Sequence, residues 1–140
     1  MSDFSLVPRE YPESNIKFSW IDNPSFGMIN LCCWEEDLLK VWNKDELILD
    51  DEKIYILFPL YENFFVKEYY CQNGFTLEYL IELIVKTGLE AGEYDTSTNP
   101  GNYNGPANKY DFINRFAITS SNTDSDIKVS GNKIFVSVQS

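Results

Sequence analysis

The chain has 140 residues, with 22 Asp and Glu against 11 Lys and Arg, no histidine and a formal charge of −11. A field of that sign opposes phosphate backbones and anionic lipid, so neither nucleic acid nor a membrane surface is an expected partner. Apolar residues at 44% and aromatics at 16% exclude a disordered chain, and a chain of this length buries about two thirds of its surface as one domain.

The missing imidazole removes the commonest general base and the commonest transition-metal ligand together. The two longest apolar-leaning stretches, 54–60 and 77–85, fall short of the roughly 18 to 20 residues a bilayer requires. Residues 1–10 lack the basic and apolar regions of a signal peptide, so a cytoplasmic location is expected. Cys32, Cys33 and Cys71 cannot build a disulfide framework. They read as reduced thiols, with the adjacent pair expected to act as small hydrophobes inside a strand.

In chain order, residues 1–15 carry Pro8 and Pro12 among polar neighbours and read as an extended N-terminal arm. Ile16 to Trp20 alternates apolar and polar residues as a half-buried strand does, and a turn cluster follows at 22–27. Met28 to Trp34 is a mainly apolar run expected to be a buried strand. Segments 38–42 and 46–49 fit either short strands or a broken helix. Residues 53–58 and 64–71, rich in β-branched and aromatic types, predict a hairpin joined through 59–63.

The helix predicted next, about 76–87, is the best-signalled element. Thr76 is placed as N-cap, Glu78 lies where the helix dipole favours a carboxylate, and Phe75 can staple to Leu80. Leu77, Leu80, Ile81 and Ile84 form an apolar stripe, Glu82 and Lys86 are spaced to pair, and Gly88 is placed to end the helix. Residues 92–110 read as a long polar loop, Phe112 to Thr119 as a strand, and 127–130 with 133–138 as a hairpin across Ser130-Gly-Asn132. The expected fold is therefore α+β, a mostly antiparallel sheet with one main helix packed across it. The order from residue 53 onward resembles that of a β-grasp domain.

Patterns for catalysis and metal binding fail in turn. Asn122, Asp124 and Asp126 echo the first half of a calcium loop, but Ile127 stands where Gly is needed and Lys133 where Glu is needed. Asp51-Glu-Lys53 has the short form of a carboxylate nuclease site but precedes a strand and lacks a basic surface around it. No nucleophile elbow, phosphate-binding loop or dinucleotide fingerprint is present. No catalytic residue, metal ligand or cofactor is assigned, and no enzymatic activity is expected.

One segment concentrates the charge. From residue 35 to 52, Glu35, Glu36, Asp37, Asp45, Glu46, Asp50, Asp51 and Glu52 stand against Lys40 and Lys44, eight minus two, beside Trp34 and Trp42. Carboxylates flanking aromatic anchors suit a surface that docks on a basic protein, the charge steering association and the rings supplying buried contact. Tyr94, Tyr103 and Tyr110, spaced by Asn, Gly and Ser, have the composition of a binding loop. The pattern predicts a non-enzymatic, acidic protein-binding protein of inhibitor or immunity type. The alternative is an assembly component, such as a minor virion protein of a phage or large DNA virus. Nine lysines to two arginines fit the AT-rich coding sequence that such a source would have.

Overall fold

The computed structural model describes residues 4–14, 16, 27–98, 108–120 and 126–137. The strongest strand signals pair as expected: β4 (Lys53–Leu60) and β5 (Asn63–Tyr70) run antiparallel from Lys53 opposite Tyr70 to Leu60 opposite Asn63. Both strands reach further towards the turn than predicted, leaving Tyr61 and Glu62 to close it. Tyr61 takes a positive φ of 56°, a conformation that costs a side-chain-bearing residue about 1–2 kcal/mol. Two contacts hold it there. The Tyr61 hydroxyl donates to Asp95 Oδ2 at 2.9 Å, and the Arg9 guanidinium donates to the Tyr61 carbonyl at 2.6 Å.

Around this hairpin the main sheet has the order β1 (Ser5–Pro8), β5, β4, β9 (Lys133–Val136), β8 (Ile127–Ser130). β4 and β9 are parallel neighbours, with Ile56 opposite Ile134, and the other pairs are antiparallel. Leaving β1 aside, the order β5-β4-β9-β8 is that of a β-grasp unit: hairpin, helix, then a last strand returning parallel to the first. Two small two-stranded sheets complete the fold. β2 (Gly27–Asn30) pairs with β7 (Ala117–Ser120), and β3 (Leu47–Leu49) with β6 (Phe75–Thr76).

The main helix, α2, crosses one face of the sheet from Leu77 to Thr98. Its start follows the predicted chemistry: Thr76 Oγ1 accepts from the Tyr79 backbone N–H at 3.1 Å. Leu77, Leu80, Ile81 and Ile84 are fully buried in a core shared with Ile54, Ile56, Phe58, Phe65, Ile134 and Val136. Lys86 lies over the Tyr69 ring, 5.7 Å from its centroid.

Several sequence expectations are corrected. The helix does not stop at 87, and Gly88 is helical. A Cβ at Gly88 would run into Ile113 and Phe58, and one at Gly92 into Phe112. These glycines seat a second helix, α3 (Lys109–Ile113), against α2; the missing side chains serve close approach rather than termination. The predicted loop 92–110 is thereby shortened at both ends, and 99–107 lies outside the described residues. The strand predicted at 112–119 starts only at Ala117, because Asn108 caps α3 through its Oδ1, accepting from Tyr110 N and Asp111 N at 3.0 and 2.9 Å. The strand predicted at 28–34 ends at Asn30, where a 3-10 turn, Leu31–Cys33, leads into helix α1 (Trp34–Leu38). The predicted strand at 16–20 and turns at 22–27 and 120–126 lie largely outside the described residues.

The second face of the sheet has its own cover. Side chains alternate across a strand, so Leu57 and Phe64 point away from α2, yet both are buried. The N-terminal segment accounts for this. After pairing with β5 as β1, it crosses this face and Tyr11 packs edge-on to Phe64, ring centroids 5.1 Å apart, its hydroxyl donating to the Val136 carbonyl at 3.2 Å. It then reaches β8 at the opposite edge, where Val129 N donates to Ser14 O and Ile16 N to Ile127 O, both at 2.9 Å. A groove of about 550 Å³ remains between this strap and Tyr55, Val66 and Lys133. Among the described residues, no helix is long and apolar enough to cross a membrane.

Candidate docking surface

The charged segment 34–52 folds as three short pieces on the outside of α2. α1 carries three acids in its only turn, Glu35, Glu36 and Asp37. A second 3-10 turn, Trp42–Asp45, follows, and β3 then pairs with the residues just ahead of α2. Leu31, Leu38, Val41 and Leu49 are buried and pin the segment to the core. Between these anchors Glu35, Glu36, Leu39, Lys40, Trp42, Asp45, Glu46 and Leu47 are exposed.

Asp37 alone of the predicted site acids is turned inward by a network. Its Oδ2 accepts from Asn30 N at 2.8 Å and Asn30 Nδ2 at 3.2 Å, closing the end of β2 onto α1, and the Cys33 thiol points at the same oxygen from 3.9 Å. That carboxylate is a fastener rather than part of a docking surface. Glu35, Glu36, Asp45, Glu46, Asp50 and Glu52 are exposed, and Asp51 is half-buried. Glu46 accepts from Asn43 Nδ2 at 2.9 Å while its carbonyl accepts from Leu77 N, so its backbone joins this segment to the first residue of α2.

The apolar side chains divide in the same way. Trp34 is half-buried and packs against the core, whereas Trp42 is 69% exposed, Leu39 65% and Leu47 52%. A cleft of about 310 Å³ is lined by Trp34, Glu35, Glu36, Leu39, Lys44 and Glu78. Its one cation is internally spoken for: Lys44 Nζ stands 3.5 Å from Asp45 and 3.4 Å from Glu78, and the charge of Asp45, then of Glu78, raises its pKa. Neutralised from two sides, Lys44 leaves Glu35 and Glu36 to set the sign of the cleft. Lys44 and Glu78 are the functional-site candidates that the reading of segment 35–52 missed. Lys44 counted only as opposing charge and Glu78 only as a helix-dipole residue; nothing local in sequence joins positions 34 apart.

Asp50, Asp51 and Glu52 are not among the cleft residues. They lie in the turn between β3 and β4, where Glu52 accepts from the Tyr70 hydroxyl at 3.4 Å, and Tyr70 is itself exposed. The tyrosines of the predicted binding loop also separate. Tyr94 sits on α2, packed edge-on to Phe4 with ring centroids 4.9 Å apart and 6.0 Å from the Phe65 ring, and serves the fold. Tyr110 is exposed on α3, with the Lys109 ammonium 5.4 Å from its ring centroid. Tyr103 lies outside the described residues.

The cysteine expectation changes as well. Cys32 is exposed and Cys33 half-buried, in the 3-10 turn that feeds α1, with their sulfurs 3.8 Å apart. Desolvation, the Cys32 thiol and the nearby Asp37 carboxylate push the Cys33 thiol up to about 11, so it stays protonated at neutral pH. Among the described residues, no three Cys, Asp or Glu side chains gather as a metal site. Comparison of the chain with protein-family models, curated proteins and solved structures finds no match to any of them.

Proposed function

We propose that this chain is a protein-binding module that docks a basic partner through the surface formed by α1, the Trp42–Asp45 turn and the first turn of α2. The observation that carries this reading is Trp42, 69% exposed together with Leu39 and Leu47 in a segment that the buried Leu38, Val41 and Leu49 anchor to the core. Exposing an indole forgoes about 1.5–3 kcal/mol of burial, and tryptophan is among the residues in which binding hot spots are enriched. Glu35, Glu36, Asp45 and Glu46 supply the rim, which speeds encounter more than it adds affinity. Inhibitors and immunity-type proteins are the class of binder that such a surface fits.

The test is affinity capture on the immobilised full chain, in parallel with Trp42→Ala and with a Glu35→Lys/Glu36→Lys double variant. A basic protein retained by the wild type at low salt, lost from both variants and lost near 1 M salt, where the Debye length is about 3 Å, supports the reading. Partners captured equally by all three proteins, or with no dependence on salt, overturn it.

A further inference from the structure

The pair Cys32–Cys33 is not used by the docking surface and does not pack as core. We infer that it is a bidentate capture site for a soft, thiophilic centre that needs only two sulfurs, of which trivalent arsenic is the chemical type. Three observations lead there. The pair is reachable, because Cys32 is exposed and Cys33 half-buried. The sulfurs already converge, 3.8 Å apart. Two sulfurs bound at about 2.3 Å, the zinc–thiolate length, stand about 3.3–3.8 Å apart for angles from a right angle to tetrahedral.

The alternatives for a dithiol fit less well. A disulfide would need the sulfurs at about 2.05 Å between residues whose Cα atoms, as chain neighbours, are about 3.8 Å apart, below the usual lower limit of about 4.4 Å. A four-coordinate metal would need two further ligands, and among the described residues no third Cys, Asp or Glu completes such a group. A centre satisfied by two sulfurs has neither requirement. The turn is also braced: Leu31 is buried on one side, and on the other Asp37 holds Asn30 by two hydrogen bonds. The backbone that carries the pair is therefore held before capture.

The step balances without any redox partner. A trivalent arsenical oxide and two thiols form two As–S bonds as the As–O bond and both S–H bonds break, and the oxygen leaves as water carrying both thiol protons.

Phenylarsine oxide is the probe. The full chain, kept reduced, is treated with one equivalent in an excess of a monothiol and read by intact mass and by Trp34 fluorescence, since that indole directly follows the pair. One adduct per chain, heavier by the reagent less one water, unaffected by the monothiol and reversed by a small dithiol, is expected. Cys32→Ser and Cys33→Ser should each retain at least tenfold less reagent under the same wash, while Cys71→Ser retains it fully. Far-UV circular dichroism confirms that each variant is folded. Retention by either single-serine variant of the pair, loss in Cys71→Ser, or no monothiol-resistant adduct in the folded wild type overturns the proposal.

Discussion

α2 and the segment 34–52 are both mixtures of large apolar and acidic residues, and the fold treats them in opposite ways. On α2 the stripe Leu77, Leu80, Ile81, Ile84 is buried without remainder, and where α3 comes closest the stripe shrinks to Gly88, Ala91 and Gly92 so that Ile113 and Phe112 fit. In 34–52 the buried residues Leu38, Val41 and Leu49 alternate with Leu39, Trp42 and Leu47, which stay outside among carboxylates. A region packed to the limit of van der Waals contact and a region that leaves three large side chains in water answer to different demands. The first is constrained by density; the second, on the function proposed above, is kept open for a partner.

That contrast can be broken by measurement. The largest effect is expected for Phe58→Ala, which removes a fully buried ring from between α2 and α3, where it also meets Phe116 edge-on at 5.8 Å. Denaturant unfolding should show a loss of about 3–5 kcal/mol, and a loss below 1 kcal/mol would mean that the α2–α3 seat is not tightly filled. Next comes Asp37→Ala. It leaves Asn30 N without its 2.8 Å acceptor at a part-buried position, for a loss of about 1–3 kcal/mol; unchanged stability would return Asp37 to the group of free surface acids.

A pH titration probes the core side of the same contrast. Burial, and then the charge of Glu90, raise the Tyr69 phenol to about 12, against the opposing hydrogen bond with Thr87 Oγ1. A tyrosine whose folded pKa lies above its unfolded value of about 10 stabilises the fold fully below pH 10, and that stability drains away as pH rises towards 12. Phenolate absorbance should therefore show Tyr69 among the last of the nine tyrosines to ionise, and Tyr69→Phe should flatten the fall in stability above pH 10. The smallest effect on stability is expected for Trp42→Ala, within about 0.5 kcal/mol because the indole is exposed. The same variant should weaken partner binding by about tenfold or more. If instead unfolding shows a loss above 1 kcal/mol, Trp42 belongs with the core and the contrast fails.

The parts of this architecture that could be read from residues alone are those set by local chemistry. The β4–β5 hairpin, the Thr76 cap, the stripe of α2 and the final hairpin each follow from period, capping or turn residues within a few positions of one another. What could not be read was settled by contacts distant in sequence. Gly88 signals a helix end unless Ile113 and Phe58 are known to press against it, and Asp37 is one acid among eight until Asn30 is found at its carboxylate. The α3 start was locally signalled, by Asn108 three residues before Asp111, and was masked by the aromatic run that follows. At the candidate surface, Trp42 and its exposed acids were legible as a group, whereas Lys44 and Glu78 become one site only because β3 pairs with β6 and the turn before it is drawn onto α2.

The strap formed by residues 5–14 and Ile16 has a consequence for how the molecule comes together. It pairs β1 with β5 at one edge, so that the short β1 becomes the edge strand in place of the longer β5, and it engages β8 through Ser14 and Ile16 at the other. Its partners at 63–66 and 127–129 are made at different times: during synthesis the strap precedes both and waits through more than a hundred residues for β8. The β5 contact can form as soon as the first hairpin is made, but the β8 contact forms only after the second. The same few residues thus tie an early contact, β1 on β5, to a late one on β8, so the strap is complete only after both hairpins exist.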